Sequence, residues 1–190
     1  MSITVLSMLS IQKRMVSYCI KDNTGGLKRY GPLLPITDVL IDEQGAYIGL
    51  IARKRNLQKT KILIPSDKIV SYTNKTVVSI GYDIINKQYL KNTEYFLSSK
   101  LINTPIKLEN GSIVGFISDA YINTETSKIV AVELSRSLFE DMLNGRKLIP
   151  SFVKMEAEYN FSVITQEQLD CSFNNDKGII NTVKKHEKEL

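Results

Sequence analysis

The chain repeats itself, and that repeat limits its fold more than any other feature. Ile36-Thr37-Asp38 recurs as Ile117-Ser118-Asp119, and Ile41 as Ile122, at an offset of 81. Leu50 recurs as Val132 at 82, Leu63-Ile64-Pro65 as Leu148-Ile149-Pro150 at 85, and Val78 as Val163 at the same 85. The offset grows only in the turn after Ile122 and in the connection after Leu134, where loops tolerate insertions. Two copies are too few for a solenoid. They fit two small units of about 75 residues each, in the size range where one core is marginal but feasible.

Within each copy the pattern is short β-branched runs broken by turn residues. Ile36 to Ile41, the turn Asp42-Glu43-Gln44-Gly45 and the run Ala46 to Ile51 predict a hairpin. Lys61 to Ile64 and Lys75 to Ile80 predict further strands. In the second copy Asn110-Gly111 is a strong turn signal, and Ile113 to Ile117, Ala120 to Ile122 and Lys128 to Leu134 read as strands. Gly25-Gly26 marks another turn. One helix is predicted, with cap candidates Ser135-Arg136-Ser137, an apolar stripe of Leu138, Phe139, Met142 and Leu143, and Gly145 as C′. The expected organisation is a mainly β chain with one repeat over 1–86, a second over 87–166, and a charged, partly helical or mobile tail over 167–190.

The repeated residues resemble the PRC-barrel superfamily, the small β-barrel of the photosynthetic reaction centre H subunit and of the ribosome maturation factor RimM. The second copy carries the clearer pattern, from Thr104-Pro105-Ile106 through Asn110-Gly111-Ser112-Ile113-Val114-Gly115 and Ile117-Ser118-Asp119-Ala120-Tyr121-Ile122 to Lys128-Ile129-Val130-Ala131. The stretch from Leu134-Ser135 to Ile149-Pro150 is similar to tandem PRC-barrel proteins of Gram-positive bacteria, many of them spore formers, which suggests a sporulation link. The first copy matches at Asp38 to Asp42, Ile48-Gly49-Leu50 and Leu63-Ile64-Pro65. Its Gly25-Gly26 to Asp38 stretch is longer than the family pattern and carries Pro32 and Pro35. The resemblance implies two small PRC-type β-barrels, the second with a short helix. It implies no single function, because one fold hosts many.

Composition narrows the chemistry. Two cysteines 152 positions apart, Cys19 and Cys171, make neither a disulfide framework nor a zinc site, and point to a reduced, cytoplasmic setting. The single histidine, His186, lies in the Lys/Glu-rich C-terminal stretch, against His-dependent triads and metal sites. No run approaches the roughly 20 apolar residues of a membrane span, and the apolar start lacks a basic n-region. No phosphate-loop motif occurs. Asp38 and Asp119 occupy the same place in both copies, which reads as a turn or strand-end hydrogen-bonding residue rather than a catalytic acid. No enzymatic activity, cofactor or metal is expected.

Charge supplies the remaining signal. Residues 1–90 carry 13 basic and 6 acidic side chains, net +7, and residues 91–190 carry 12 and 14, net −2. The basic run Arg53, Lys54 and Arg55, with Lys59 and Lys61, is the candidate macromolecule-binding site, able to contact RNA phosphates or an acidic protein surface. A charged edge that blocks strand aggregation accounts for the same residues. Leu138, Phe139 and Met142 are a candidate secondary interaction face. The expected function is a non-catalytic adaptor that docks onto a protein partner. The alternative is an RNA- or ribosome-associated accessory protein using the basic face of the first copy.

Overall fold

The computed structural model describes residues 5–21, 24–53, 60–85, 95–137, 141, 145–150, 154–156 and 161–174. The first half runs β1 (Val5–Ser7), α1 (Met8–Gln12), β2 (Met15–Lys21), β3 (Leu27–Arg29), β4 (Leu34–Asp42), β5 (Tyr47–Arg53), β6 (Lys61–Pro65), a 3-10 turn at Ser66–Lys68, β7 (Ile69–Tyr72), β8 (Thr76–Ser79) and β9 (Asp83–Ile85). The second runs β10 (Tyr95–Leu97), α2 (Ser98–Leu101), β11 (Pro105–Leu108), β12 (Ile113–Asn123), β13 (Lys128–Ser135), β14 (Lys147–Pro150), β15 (Lys154–Glu156), β16 (Phe161–Ile164), α3 (Gln166–Asp170) and β17 (Phe173–Asn174). The chain is mainly β.

Two sheets follow one plan. The first is ordered β7-β8-β2-β4-β5-β6-β9 and the second β15-β16-β11-β12-β13-β14-β17. The registers repeat pair for pair. Leu50 opposite Ile64 becomes Val132 opposite Ile149, and the parallel pair Val16 and Val77 becomes Ile106 and Ser162. Each path is open among the described residues, so the expected barrels are seen as open strand orders rather than closed rings. At the start of the expected tail a capping box at Thr165 begins α3, and β17 pairs with β14 through Phe173 and Leu148.

The central strands are built from uninterrupted apolar runs because both of their faces are covered. In β4, Val39, Leu40 and Ile41 are all buried, as are Leu50, Ile51 and Ala52 of β5. Ala120, Tyr121 and Ile122 of β12 and Ala131 and Val132 of β13 form the matching core. Each fully buried Leu or Ile contributes about 1.5–3 kcal/mol relative to exposure, so these strands dominate the stability of each sheet.

The compact units do not follow the order of the chain. The N-terminal unit comprises Leu9–Asp42 and Tyr47–Ser99; the C-terminal unit comprises Met1–Met8, Glu43–Ala46 and Lys100–Leu190. Each repeat is therefore completed by a strand that precedes the other. β1, at the start of the first repeat, pairs with β12, Ser7 lying opposite Tyr121. β10, at the start of the second, pairs with β4, Leu97 lying opposite Leu40. Val5 packs on Tyr121, Ala131 and Leu148, while Tyr95 and Leu97 pack against Leu40, Ile51, Leu63 and Ile85.

The repeats differ most between their first two strands. Twenty positions separate Met15 from its partner Pro35, but only eleven separate Pro105 from Phe116. The nine extra residues form the β2–β3 hairpin, turning at Gly25 with φ +81, a left-handed conformation that favours glycine.

Candidate binding surface

The two aspartates lie inside β4 and β12, not at strand ends. Each falls at a register shift, between Ile36 and Asp38 and between Ile117 and Asp119. The bulge is what lets a strand-disfavoured residue sit there, and it lets β12 run unbroken where two strands are expected from the sequence. Asp38, 8% exposed, accepts from Ser98 Oγ at 2.6 Å, Ser99 N at 3.1 Å and Val39 N at 3.0 Å on Oδ1. Its Oδ2 accepts from Ser99 Oγ at 2.6 Å. Asp119 accepts from Ala120 N at 2.8 Å and from the Ser7 hydroxyl. Each carboxylate thus holds the serine that ends or follows the exchanged strand, with donors pointing at both of its oxygens.

The C-terminal unit carries a further ionic cluster. Tyr121 Oη donates to Glu133 Oε2 at 3.0 Å, and Arg146 reaches Glu133 Oε1 at 3.4 Å and Asp141 Oδ2 at 3.1 Å. Ser135 Oγ donates to Asp141 Oδ2 at 2.6 Å and Arg136 N to Oδ1 at 3.3 Å. Burial, then the Glu133 and Asp119 charges, push the Tyr121 phenol far up, so it remains a donor. Burial alone would raise the Asp141 carboxyl, but the Ser135, Arg136 and Arg146 bonds hold it below the usual carboxylate range. One arginine bridges both carboxylates, which clamps the start and end of the connection between β13 and β14.

The N-terminal unit lacks that bridge among its described residues. Ile51 stands where the second repeat has Glu133, Leu40 where it has Tyr121, and Lys61 where it has Arg146. Arg53 and Lys61 face each other across the β5–β6 ladder, and neither takes part in an ion pair among the described residues. Like charges directly opposite destabilise a ladder, and an anion bound there would relieve the repulsion. Lys54, Arg55 and Lys59 lie outside the described residues, as do Leu138, Phe139 and Met142. Counted by unit, the N-terminal one carries 14 basic and 6 acidic side chains, net +8, and the C-terminal one 11 and 14, net −3.

Sequence reasoning missed an aromatic group on the inserted hairpin. Tyr18 contacts Tyr30 edge-on at 6.1 Å between ring centroids and Tyr82 at 5.2 Å. The usable signal was the extra length of the first copy, combined with tyrosines on both sides of the Gly25-Gly26 turn.

Among the described residues no group of three His, Cys, Asp or Glu side chains could hold a metal ion. No helix among them is long and apolar enough to cross a membrane. The fold is a β ladder presented twice, with different charged and aromatic groups at its rims. Residues 93–185 match the PRC-barrel domain. No curated protein matches the chain.

Proposed function

We propose that the chain is a non-catalytic adaptor, cytoplasmic in setting, in which the N-terminal unit is a second PRC-type domain and both units dock onto another macromolecule. The observation that carries this reading is one scaffold presented twice with opposed charge, net +8 and net −3. Equivalent ladders with unlike surfaces suit two different contacts rather than one contact repeated. Joining two weak contacts in one chain raises the effective concentration of the second. The test is affinity capture from lysate with the intact chain, with Arg53→Ala/Lys61→Ala, and with Lys128→Ala as a control. A protein partner retained by the intact chain and control, but lost from the double variant, supports the adaptor. Recovery of nothing above background at low salt rejects it.

A second reading, an RNA- or ribosome-associated accessory protein, is favoured by the un-neutralised Arg53 and Lys61 pair. Phosphate contacts make such binding fall steeply with salt. RNA retention at low salt that disappears when Arg53, Lys54 and Arg55 become Ala supports it. Absence of RNA binding at low salt removes it.

A further inference from the structure

We propose that the inserted β2–β3 hairpin is a stacking platform for single-stranded RNA; this deepens the second reading above and rests on it. Ser17 and Cys19 are buried, so the alternating residues Tyr18 and Ile20 point away from the core. Lys28 lies opposite Ile20, and Tyr30 N bonds Tyr18 O at 2.8 Å, which places Tyr30 opposite Tyr18. Cross-strand partners share a face, so Tyr18, Ile20, Lys28 and Tyr30 form one surface.

That surface has the two ingredients of sequence-tolerant single-strand binding, aromatic faces and positive charge. Tyr30 is 63% and Ile20 41% exposed, well beyond what a core-facing hairpin leaves open. The Tyr18 ring meets those of Tyr30 and Tyr82 at 86° and 79°. This edge-to-face arrangement pre-sets the rings, so little side-chain freedom is left to lose when a base stacks. On this face Lys28 supplies the positive charge beside the rings, within a unit of net charge +8. A base with its phosphate would use the exposed Tyr30 ring and the Lys28 charge together. The second repeat has only the turn at Gly111 in this place, so the surface belongs to the insertion.

Fluorescence anisotropy of a labelled 12-residue oligo(U), titrated with the full chain at low and at physiological salt, tests the proposal. Tyr30→Ala is expected to weaken binding about tenfold, the typical loss of one stacked base, while Tyr30→Phe retains it. Lys28→Ala is expected to lower the salt slope by roughly 0.7, the single-strand value per phosphate. Preference for oligo(U) over a duplex of equal length supports stacking. Comparable binding of oligo(dT) also supports it and shows that the ribose hydroxyl is not read. Binding lost in Arg53→Ala/Lys61→Ala but unchanged in Tyr30→Ala overturns the platform and leaves the RNA-associated reading standing. No oligonucleotide binding at low salt overturns both. Equal binding of polyglutamate, insensitive to Tyr30→Ala, shows a plain charged patch and overturns the platform.

Discussion

The two repeats are the same ladder adapted to different ends. In the C-terminal one, Glu133, Asp141 and Arg146 are spent on each other and on Tyr121 and Ser135, so the connection between β13 and β14 is held internally. In the N-terminal one the same places hold Ile51, Leu40 and Lys61, and the charge is left facing outward. The difference extends to the edge of the core. Arg14 occupies the place of Thr104, each following its helix with an N–H bond to Ile11 O or Leu101 O. Thr104 Oγ1 donates to Lys100 O at 2.7 Å, whereas the buried Arg14 leaves Nε without a partner. The two halves share the strand plan and differ in their connections and rims.

The comparison breaks most severely if the chain is cut between the repeats. Residues 1–92 lose β10 with the Ser98 and Ser99 donors to Asp38; residues 93–190 lose β1 with Ser7. Lost burial and buried charged hydrogen bonds together amount to roughly 4–8 kcal/mol per unit, comparable with the whole stability of a small domain. Neither fragment is expected to melt cooperatively by circular dichroism, and mixing them should restore the transition. Full independent melting of either fragment would show that the exchanged strands are dispensable.

Equivalent positions give a sharper contrast. Arg146→Ala strands the buried Glu133, and since Arg146 is itself 45% exposed a loss of about 2 kcal/mol is expected rather than the full cost of a buried pair. Lys61→Ala at the matching place should stay within about 0.5 kcal/mol. Urea unfolding of both variants decides it; equal losses would mean the ionic cluster is not what separates the units. Next in size is Gly49, matched by Ala131, each opposite a proline, Pro65 or Pro150. A Cβ on Gly49 would lie 2.3 Å from Ile64 O, so Gly49→Ala should cost about 1–2 kcal/mol through backbone displacement. A neutral Gly49→Ala would show that β5 and β6 tolerate a Cβ at that rung, as β13 and β14 do at Ala131.

The smallest effect is on pH. The Asp141 carboxyl titrates below its ordinary range in the folded chain, so it adds stability above the unfolded carboxylate pKa. That contribution disappears as pH falls through the folded value. Unfolding midpoints taken from neutral to acid pH should fall slightly less in Asp141→Asn than in the parent chain. Superimposable profiles would remove Asp141 from the acid response.

Much of the plan was legible. Ile36 and Ile117, Leu50 and Val132, Leu63 and Leu148, and Val78 and Val163 occupy matching ladder positions, because long central strands must repeat their apolar pattern to share one register. The exchange was not legible. Val5–Ser7 and Tyr95–Leu97 are three residues each, too short to show a period, and their partners lie in the far repeat. Of the basic candidates, Arg53 and Lys61 share one ladder rung because β5 and β6 are adjacent. The hairpin tyrosines escaped notice because they become neighbours only after the insertion folds back on β2.

The exchange also sets a timetable for synthesis. β1 is translated before its mate, and Ser7 finds Tyr121 and Val5 finds Asn123 only after more than a hundred further residues exist. At about 5–20 residues per second, that is on the order of 6–23 s during which an apolar segment has no mate. Pairings of such long sequence separation also slow folding, since the loop must close before the contact rewards it. β1 is thus a stretch that waits long for its mate at the ribosome, and speeding or slowing translation between codons 8 and 123 should change the yield of folded protein more than the same change after 123.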